Sequence, residues 1–236
     1  MDSSEMCNWL TEQLASLPLV SYPFDVTTLP DNGIYFFYEK GEFSAHGDSL
    51  PRIVRIGTHK NGNFRARIAE HYLLDDRKMV FDLNKSTPHD RSIFRKNIGR
   101  VILNRAKDPY LAVWQVDFMK PANQRSYGHL RDLEKERETE LQVTRILREN
   151  FSFRFVEIED EQQRLGSNGL ERHLIGTVAQ CGACGPSGNW LGHHSPVGNI
   201  RDKGLWQEQH LSCSPLSEDA RSLLATKFQS ARSATG

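Results

Sequence analysis

Glu171 is a carboxylate that the sequence places on an otherwise apolar helical face. On a helical wheel with about 100° per residue, Glu171 falls inside an arc of four apolar residues: Leu170, Leu174, Ile175 and Val178. A carboxylate on a buried face is unfavourable unless it pairs with a cation or binds a metal ion. Glu171 is therefore either a metal ligand or half of a structural ion pair with a basic residue of segment 52–107.

Arg67 and His71 are a second set of residues suited to chemistry. They are four residues apart, so they share one face of a helix. A guanidinium offers a planar fork of donors to phosphate oxygens, and an imidazole offers one more donor. The pair could therefore bind one phosphate group. The alternative is that both residues lie on a solvent-exposed face of the helix, which has the same pattern. Tyr35 alone indicates an aromatic residue of the core. Its hydroxyl has a chemical role only if it faces the same pocket as Arg67 and Glu171.

Hydrophobic periodicity predicts the elements that position these residues. Segment 32–39 is apolar on both faces, which is typical of a strand covered on two sides. Segment 52–57 predicts a second strand, paired with the first as a hairpin. Apolar residues at helical spacing follow over 64–72, after a helix-start signal. Later, 151–158 predicts a strand that leads into a helix over 165–179, the helix of Glu171.

The other segments predict mainly helix. A short amphipathic helix is expected around Trp9 to Leu14. An Arg- and Lys-rich helix covers 91–105, and a long charged helix covers 129–149. Alternation of apolar and polar residues predicts a half-buried strand over 111–118. A short helix is expected near 219–228.

Two tripeptides in the predicted hairpin resemble the motif of a known nuclease family. Gly33-Ile34-Tyr35 matches the first half of the GIY-YIG motif, and Arg55-Ile56-Gly57 occupies the second half with arginine in place of tyrosine. Phe64-Arg65-Ala66-Arg67 resembles the start of the family's arginine helix. Leu170-Glu171-Arg172-His173-Leu174-Ile175 resembles its glutamate helix, and Pro186-Ser187-Gly188-Asn189 its distal Pro-x-x-Asn element. The resemblance covers residues 31–74 and 150–192.

The resemblance implies a role for each matching residue. Glu171 would hold Mg²⁺ or Mn²⁺, and Arg67 would stabilise charge on the phosphate. Tyr35 would orient or deprotonate the attacking water, with help from His71. Asn189 would give polar support. Two more candidates come from the second motif: Arg55, as a further cation, and His59, which follows Thr58, as an alternative base.

The implied fold is a single α/β domain with a small, mainly antiparallel sheet flanked by helices. Residues 31–74 and 150–192 would be its nuclease-like core, 75–149 a helical insertion and 193–236 a C-terminal extension. The implied activity is metal-dependent hydrolysis of DNA in restriction, repair or mobile-element defence. Two alternatives remain: a module that kept the fold and binds nucleic acid without cutting, and an unrelated α/β protein with a structural Glu171.

Charge is unevenly distributed although the formal net charge is zero. Segment 52–107 holds 14 Lys and Arg against 5 Asp and Glu, whereas 132–161 holds 5 against 10. Cations along the predicted helix 91–105 suit contacts with the phosphates of duplex DNA, and a solvated helix face is the alternative. The residues expected to make these contacts are Arg91, Arg95, Lys96 and Arg100.

Four cysteines allow two interpretations. Cys181 and Cys184 form a CxxC, and His210 and Cys213 form an HxxC further along the chain. Together they could complete a tetrahedral zinc site, with His193 and His194 as rival ligands. Free buried thiols are the alternative. No apolar run of 18 or more residues and no export signal is present, which predicts a cytoplasmic protein with reduced thiols.

Overall fold

The fold consists of one four-stranded sheet and a set of mostly short helices. The computed structural model of the protein describes residues 2–47 and 49–233. Its strands are β1 (Val20–Ser21), β2 (Ile34–Phe43), β3 (Pro51–Thr58) and β4 (Phe151–Val156). Its α-helices are α1 (Ser3–Ala15), α2 (Phe64–Tyr72), α3 (Pro88–Arg91), α4 (Ile93–Arg105), α5 (Leu111–Trp114), α6 (Pro121–Tyr127), α7 (Leu133–Asn150), α8 (Glu161–Arg164), α9 (Leu170–Ala179), α10 (Gly198–Lys203) and α11 (Glu218–Ser233). Short 3-10 turns cover Val26–Thr28, Asp76–Met79, Gly128–Leu130 and Leu191–His194.

The sheet is antiparallel throughout, with strand order β1-β4-β2-β3. The predicted hairpin is confirmed, because β2 pairs with β3 directly along the chain. The predicted late strand is confirmed as β4, which pairs with the other side of β2. β2 therefore lies inside the sheet, and β3 forms one edge.

Both faces of β2 are covered, as its two-sided apolar pattern predicts. Ile34, Phe36 and Tyr38 enter one hydrophobic cluster with residues of α1, α9 and α11. Tyr35 and Phe37 enter a second cluster on the opposite face, with residues of α2, α4 and α7. The structure is thus the predicted α/β architecture, a small antiparallel sheet flanked by helices.

Most predicted helices are present with shifted ends. α2, α4, α7 and α11 occupy the segments expected from periodicity, and α1 begins earlier than its apolar stretch because Asp2 caps its N-terminus in a capping box with Glu5. Among the described residues, no helix is both long and apolar enough to cross a membrane.

The strand predicted over 111–118 is wrong. Residues 111–114 form the short helix α5, and the rest of the segment is turn and coil. Trp114 and Phe118 are both buried, and their spacing of four fits a helical turn as well as alternation. The Trp114 indole donates to the Lys96 carbonyl at 3.0 Å, and a β carbon on Gly99 would lie 2.2 Å from its ring. Packing on α4 therefore fixes this segment.

The helix predicted over 165–179 is shorter than expected. The α-helical residues run from Leu170 to Ala179, and α8 is a separate turn before it. Gly166 has a φ of 89°, a left-handed conformation that glycine adopts without strain. This break lets α9 begin at Leu170, so that Glu171 lies in its first turn.

A buried carboxylate anchors the segment after α9 to the sheet. The indoles of Trp190 and Trp206 donate to the same oxygen of Glu39, at 2.9 and 2.8 Å. Burial raises the pKa of Glu39 to about 7, with the two indoles opposing the rise. The Trp206 amide also donates to the Val54 carbonyl at 2.7 Å, along the free edge of β3. Residues 190–206 are therefore held against the hairpin beside Arg55.

Candidate active site

Tyr35 and Gly57, one residue from each motif half, are opposite each other in the β2–β3 hairpin. A β carbon built on Gly57 would lie 2.3 Å from the Tyr35 hydroxyl oxygen. The phenol therefore crosses the neighbouring strand at a point where only glycine leaves room. The Tyr35 ring also meets Phe37 and Phe64 edge to face, so the hairpin and α2 fix its direction.

This close approach makes Gly57 a sensitive position. We expect Gly57→Ala to displace the Tyr35 ring and to lower the free energy of unfolding by about 1–3 kcal/mol, as overpacking of a filled core does. Denaturant unfolding measures the change. Gly188→Ala is the matched control, because a β carbon there meets nothing within 4 Å; its effect should stay within about 0.5 kcal/mol. Equal stability of Gly57→Ala and Gly188→Ala would contradict the packing argument.

A hydrogen-bonded chain runs from the Tyr35 hydroxyl into the interior. The Tyr35 oxygen lies 3.1 Å from His71 Nε2, and His71 Nδ1 lies 2.8 Å from the Ser92 hydroxyl. His71 is fully buried. Burial lowers the pKa of His71 well below its usual value, and the nearby cations Arg67 and Arg55 lower it further. The imidazole is therefore neutral and offers one donor and one acceptor to its two hydroxyl partners.

Glu171 reaches the free edge of β3 from the first turn of α9. Its Oε1 accepts the Thr58 amide at 3.0 Å, and α9 packs along β3. Burial raises the pKa of Glu171, while the Thr58 amide and the cations Arg55 and Arg67 oppose the rise. No described basic residue forms an ion pair with Glu171, so the predicted structural pair is not present there. Its Oε2 accepts no hydrogen bond from a described residue.

Three guanidinium groups contribute to the field at Glu171: those of Arg55, Arg67 and Arg164. The field of several cations therefore acts on one carboxylate, in a site that also contains the neutral Tyr35–His71 pair. The site carries an excess of positive charge in a partly buried setting, where charges interact more strongly than in water. Such a site attracts an anion.

Arg55, which stands where the motif has tyrosine, is buried within the site. One guanidinium nitrogen donates to the Trp206 carbonyl at 2.5 Å, and the group lies 5.0 Å over the Phe94 ring. Its Nε is buried without a hydrogen-bond partner. Burial lowers the pKa of Arg55, and the Tyr35 phenol opposes this effect. The substitution thus adds a buried cation beside the phenol instead of a second phenol.

Arg67 lies on α2 at the solvent side of the site. Its side chain is 16% exposed and pairs with Glu70 at 3.1 Å, and it donates to the Arg91 carbonyl at 2.5 Å. Arg67 and His71 share a helix, but His71 contacts Tyr35 instead of the open side. Glu70 is not among the predicted site residues, although its spacing of three from Arg67 is a typical ion-pair spacing.

Arg164 is a second residue that the sequence did not reveal. It donates to the Thr58 hydroxyl at 3.1 Å and also to the His59 carbonyl and the Asn61 side chain. These bonds hold the loop between β3 and α2, which carries His59. Burial, followed by the nearby Arg67, lowers the pKa of His59. A single arginine in a charged segment gives no sequence signal, because its partners lie about a hundred residues earlier.

Asn189 is not joined to this group. It is exposed and makes no hydrogen bond within the described part of the chain. Its neighbours contact the far end of β2, where the Ser187 amide donates to Glu42 and Trp190 donates to Glu39. The structure therefore brings Tyr35 together with the predicted Arg55, Arg67, His71 and Glu171, but leaves Asn189 outside.

The predicted exposed basic face of segment 91–105 is wrong for the three residues that lie on α4. Arg95 is fully buried and paired with Glu140. Lys96 is buried beside Asp90, and Arg100 is largely buried in a pair with Glu208. Their charges are neutralised inside the protein, so these side chains are not free to contact a phosphate backbone. Arg91 differs, because about half of its side chain (53%) is exposed.

Arg91 lines an open cleft next to Arg67. The cleft has a volume of about 400 Å³, and its walls lie on α2, α3 and the segment between them. Its basic lining residues are Arg77, Lys78, Lys85 and Arg91, and Glu70 also lines it. Because Glu70 pairs with Arg67, the cleft meets the candidate site at that pair. Within the described residues, this cleft is therefore a basic surface that adjoins the candidate site.

The predicted pairing of the CxxC with the HxxC is also wrong. Cys181 and Cys184 lie beside Cys7 and His46, whose ligand atoms are within 4.8 Å of theirs. His210 and Cys213 are near each other and near Arg172 instead. The rival ligands are elsewhere, as His193 Nε2 lies 2.8 Å from the Ser187 carbonyl and the His194 carbonyl accepts from Asn104.

Comparison with known proteins identifies the family of the chain. The family model described as the GIY-YIG domain matches residues 14–231, which is most of the chain, and the chain belongs to this family. The match excludes the alternative of an unrelated α/β protein. No significant match was found among the curated proteins or the solved structures. The chain thus has a nuclease-type fold, and its family is generally one of nucleases that act on nucleic acid and typically use divalent metals.

Proposed function

We propose that this protein is a metal-dependent endonuclease that hydrolyses the phosphodiester bonds of DNA. One observation carries the proposal: Glu171, fixed by the Thr58 amide at the edge of β3, lies in the field of several guanidinium groups in a site with the hydrogen-bonded Tyr35–His71 pair. Phosphodiester hydrolysis needs cations for the phosphate charge, an acid–base group for water and a metal ligand. Duplex DNA is the proposed substrate, with the cleft lined by Arg77 and Arg91 as its path toward the site.

The donor set at Glu171 fits a divalent ion. Mg²⁺ typically takes one or two carboxylates and keeps several waters, and Glu171 has an oxygen that no described residue occupies. Glu171 would hold the ion, which would supply Lewis-acid polarisation of the phosphate. The neighbouring Arg55 and Arg67 oppose a cation alone, but they suit an ion that binds with a phosphate.

The other side chains divide the remaining work. Tyr35 accepts a proton from the attacking water as its own hydroxyl proton passes to Nε2 of neutral His71, which returns it after the step. Ser92 orients the imidazole through Nδ1. Both tautomers of a neutral His71 are compatible with its two hydroxyl neighbours. Arg67 stabilises the charge that develops on the phosphate, and Arg55 adds a fixed positive charge behind Tyr35.

Arg67→Ala is expected to reduce the turnover of DNA cleavage by about 10²–10³-fold, the usual effect of the loss of one preorganised donor. The fold should persist, because Arg67 is partly exposed and its main carboxylate partner is on the same helix. Single-turnover cleavage of a long duplex with Mg²⁺ or Mn²⁺ measures the effect. Arg137→Ala is the matched control, since Arg137 is exposed on α7, and it should cut like the wild type. Near-wild-type cutting by Arg67→Ala would exclude the proposed role.

A second candidate is a module that binds nucleic acid without cutting it. Arg55 favours this candidate, because it leaves the site with one motif tyrosine and a buried cation. Cleavage of supercoiled plasmid separates the two functions. Metal-dependent nicking identifies the nuclease, whereas salt-sensitive binding without nicking, on duplex, structured and single-stranded substrates, identifies the module.

A further inference from the structure

Three of the four cysteines meet one histidine at a single point of the fold. The sulfurs of Cys7, Cys181 and Cys184 and a ring nitrogen of His46 all lie within 4.8 Å of one another. Cys7 belongs to α1, His46 to the loop between β2 and β3, and the CxxC follows α9. Three segments that are distant in sequence therefore converge on four atoms that are all soft or borderline metal ligands.

The spacing of these four atoms suits a tetrahedral ion. Zn–S bonds of about 2.3 Å and Zn–N bonds of about 2.0–2.1 Å give a tetrahedron with edges of roughly 3.5–3.8 Å. The four atoms are compatible with those edges, since every separation is at most 4.8 Å. His46 Nε2 lies 3.1 Å from Cys181 Sγ.

The surroundings also suit thiolate ligands. The Ser44 hydroxyl lies 3.5 Å from Cys184 Sγ. The Gly182 amide donates to the Ser4 hydroxyl oxygen at 3.3 Å, which ties the CxxC turn to α1. The Ser44 hydroxyl can donate to the Cys184 sulfur. Donors of this kind orient and stabilise thiolates around a metal. Cys7 and Cys181 are buried, while Cys184 and His46 are partly accessible, which leaves an ion a path inward.

We propose that Cys7, His46, Cys181 and Cys184 bind one Zn²⁺ in a structural site, separate from the candidate active site. Four protein ligands close the coordination sphere, which is typical of structural zinc and leaves no position for substrate. On binding, three thiols lose their protons to solvent, and neutral His46 donates its Nε2 lone pair. The ion then carries three thiolates and one imidazole, and no redox change occurs.

The position of the site explains what the ion would do. Cys181 lies just past the C-terminus of α9, whose first turn carries Glu171. Zinc would cross-link that end of α9 to α1 and to the turn that connects β2 with β3. The helix that places Glu171 against β3 would therefore be held at both ends, by sheet contacts at Thr58 and by metal near Cys181.

Metal analysis of the full-length protein, purified without chelator, tests the proposal. We expect one zinc per chain, and its removal should lower the Tm by on the order of 10 °C. Refilling with Co²⁺ should give the charge-transfer and ligand-field absorption of tetrahedral thiolate coordination. Alkylation followed by mass mapping should show that metal protects Cys7, Cys181 and Cys184, while Cys213 reacts equally with and without metal.

Matched variants separate this site from the one that sequence spacing suggests. Cys184→Ser and His46→Ala should each lower the affinity for metal, and Cys184→Ser should also reduce the Co²⁺ charge-transfer intensity by about a third. Cys213→Ser is the control and should keep a full equivalent of zinc, because Cys213 lies beside Arg172. Loss of zinc from Cys213→Ser would overturn the ligand assignment.

Results on the wild type alone can also overturn the proposal, so it does not depend on whether the variants fold. Wild-type protein without zinc, which gives no tetrahedral Co²⁺ spectrum, would show that the cluster consists of packed free thiols. A disulfide between Cys181 and Cys184 in protein purified under reducing conditions would equally exclude the site. None of these measurements uses DNA cleavage, so their outcome is independent of the proposed nuclease activity.

Discussion

Replacement of Glu171 by glutamine is expected to abolish metal-dependent cleavage of supercoiled plasmid, with a loss of more than about 10²-fold in turnover. Glutamine keeps the size of the side chain and an oxygen that can accept the Thr58 amide. It removes the negative charge that Mg²⁺ or Mn²⁺ requires from its protein ligand. The substitution therefore tests the charge at one position and leaves the packing of α9 on β3 in place.

The same substitution is expected to have the opposite effect on stability: turnover falls, but the free energy of unfolding does not. Burial raises the pKa of Glu171, which means that the folded state disfavours its ionised form at neutral pH. A neutral glutamine relieves this cost, so Glu171→Gln should be at least as stable as the wild type. An inactive variant that is also more stable would show that the fold keeps an unfavourable charge for function.

Two measurements make the Glu171 prediction specific. Mn²⁺ binding by calorimetry, with a DNA duplex present, should weaken in Glu171→Gln, independently of any cleavage. Glu138→Gln is the matched control, because Glu138 is exposed on α7, and it should bind metal and cut DNA like the wild type. Full activity of Glu171→Gln would remove Glu171 from the metal site. Loss of activity together with loss of stability would indicate a structural role.

The central hairpin and α9 were predictable because their signals are local. A continuous apolar run gives β2 its two apolar faces, and helical spacing places Arg67 and Glu171 on known sides of their helices. The motif order then indicates that these segments meet. The structure adds what periodicity does not contain: the crossing of Tyr35 over Gly57 and the turn of His71 away from solvent.

The failures have a different physical origin. The sequence around Arg95 predicts an exposed basic helix. Arg95 is buried instead, because its partner Glu140 lies on another helix 45 residues later. Cys7 lies 174 residues and His46 135 residues before Cys181, so local spacing could not join them. Burial of a charge and assembly of a metal cluster depend on tertiary contacts, which a single sequence does not encode in any local pattern.

Glu140 provides the second large effect, on stability. Its Oε2 accepts from Arg95 at 3.0 and 2.5 Å, and its Oε1 accepts from the His89 amide at 2.7 Å. Arg95, His89 and Glu140 are all at most 1% exposed. Glu140→Ala would leave the Arg95 cation buried without a counter-charge. We expect it to lower the free energy of unfolding by about 3–5 kcal/mol, a large fraction of typical domain stability.

Denaturant unfolding measures this loss, and a control on the same helix isolates its cause. Glu138→Ala removes an equal charge from an exposed position of α7 and should change the stability by no more than about 0.5 kcal/mol. The double variant Arg95→Met with Glu140→Leu should recover much of the loss, because neither charge of the pair is then left buried without its partner. A double variant as unstable as Glu140→Ala would indicate that packing, not charge, explains the effect.

Acid titration gives an independent check of the same pair. Burial alone would raise the pKa of Glu140, but Arg95 and His89 outweigh it and lower the pKa from 4.5 to about 2. Because the folded pKa is depressed, the stabilisation is complete above about pH 4.5 and disappears as the pH falls toward 2. At about 1.4 kcal/mol per pKa unit, the wild type should lose roughly 3 kcal/mol across this window.

Glu140→Ala lacks this component, so the difference in stability between the two proteins should shrink over the same range. A difference that stays constant down to pH 2 would mean that the carboxylate of Glu140 is not what stabilises the buried Arg95.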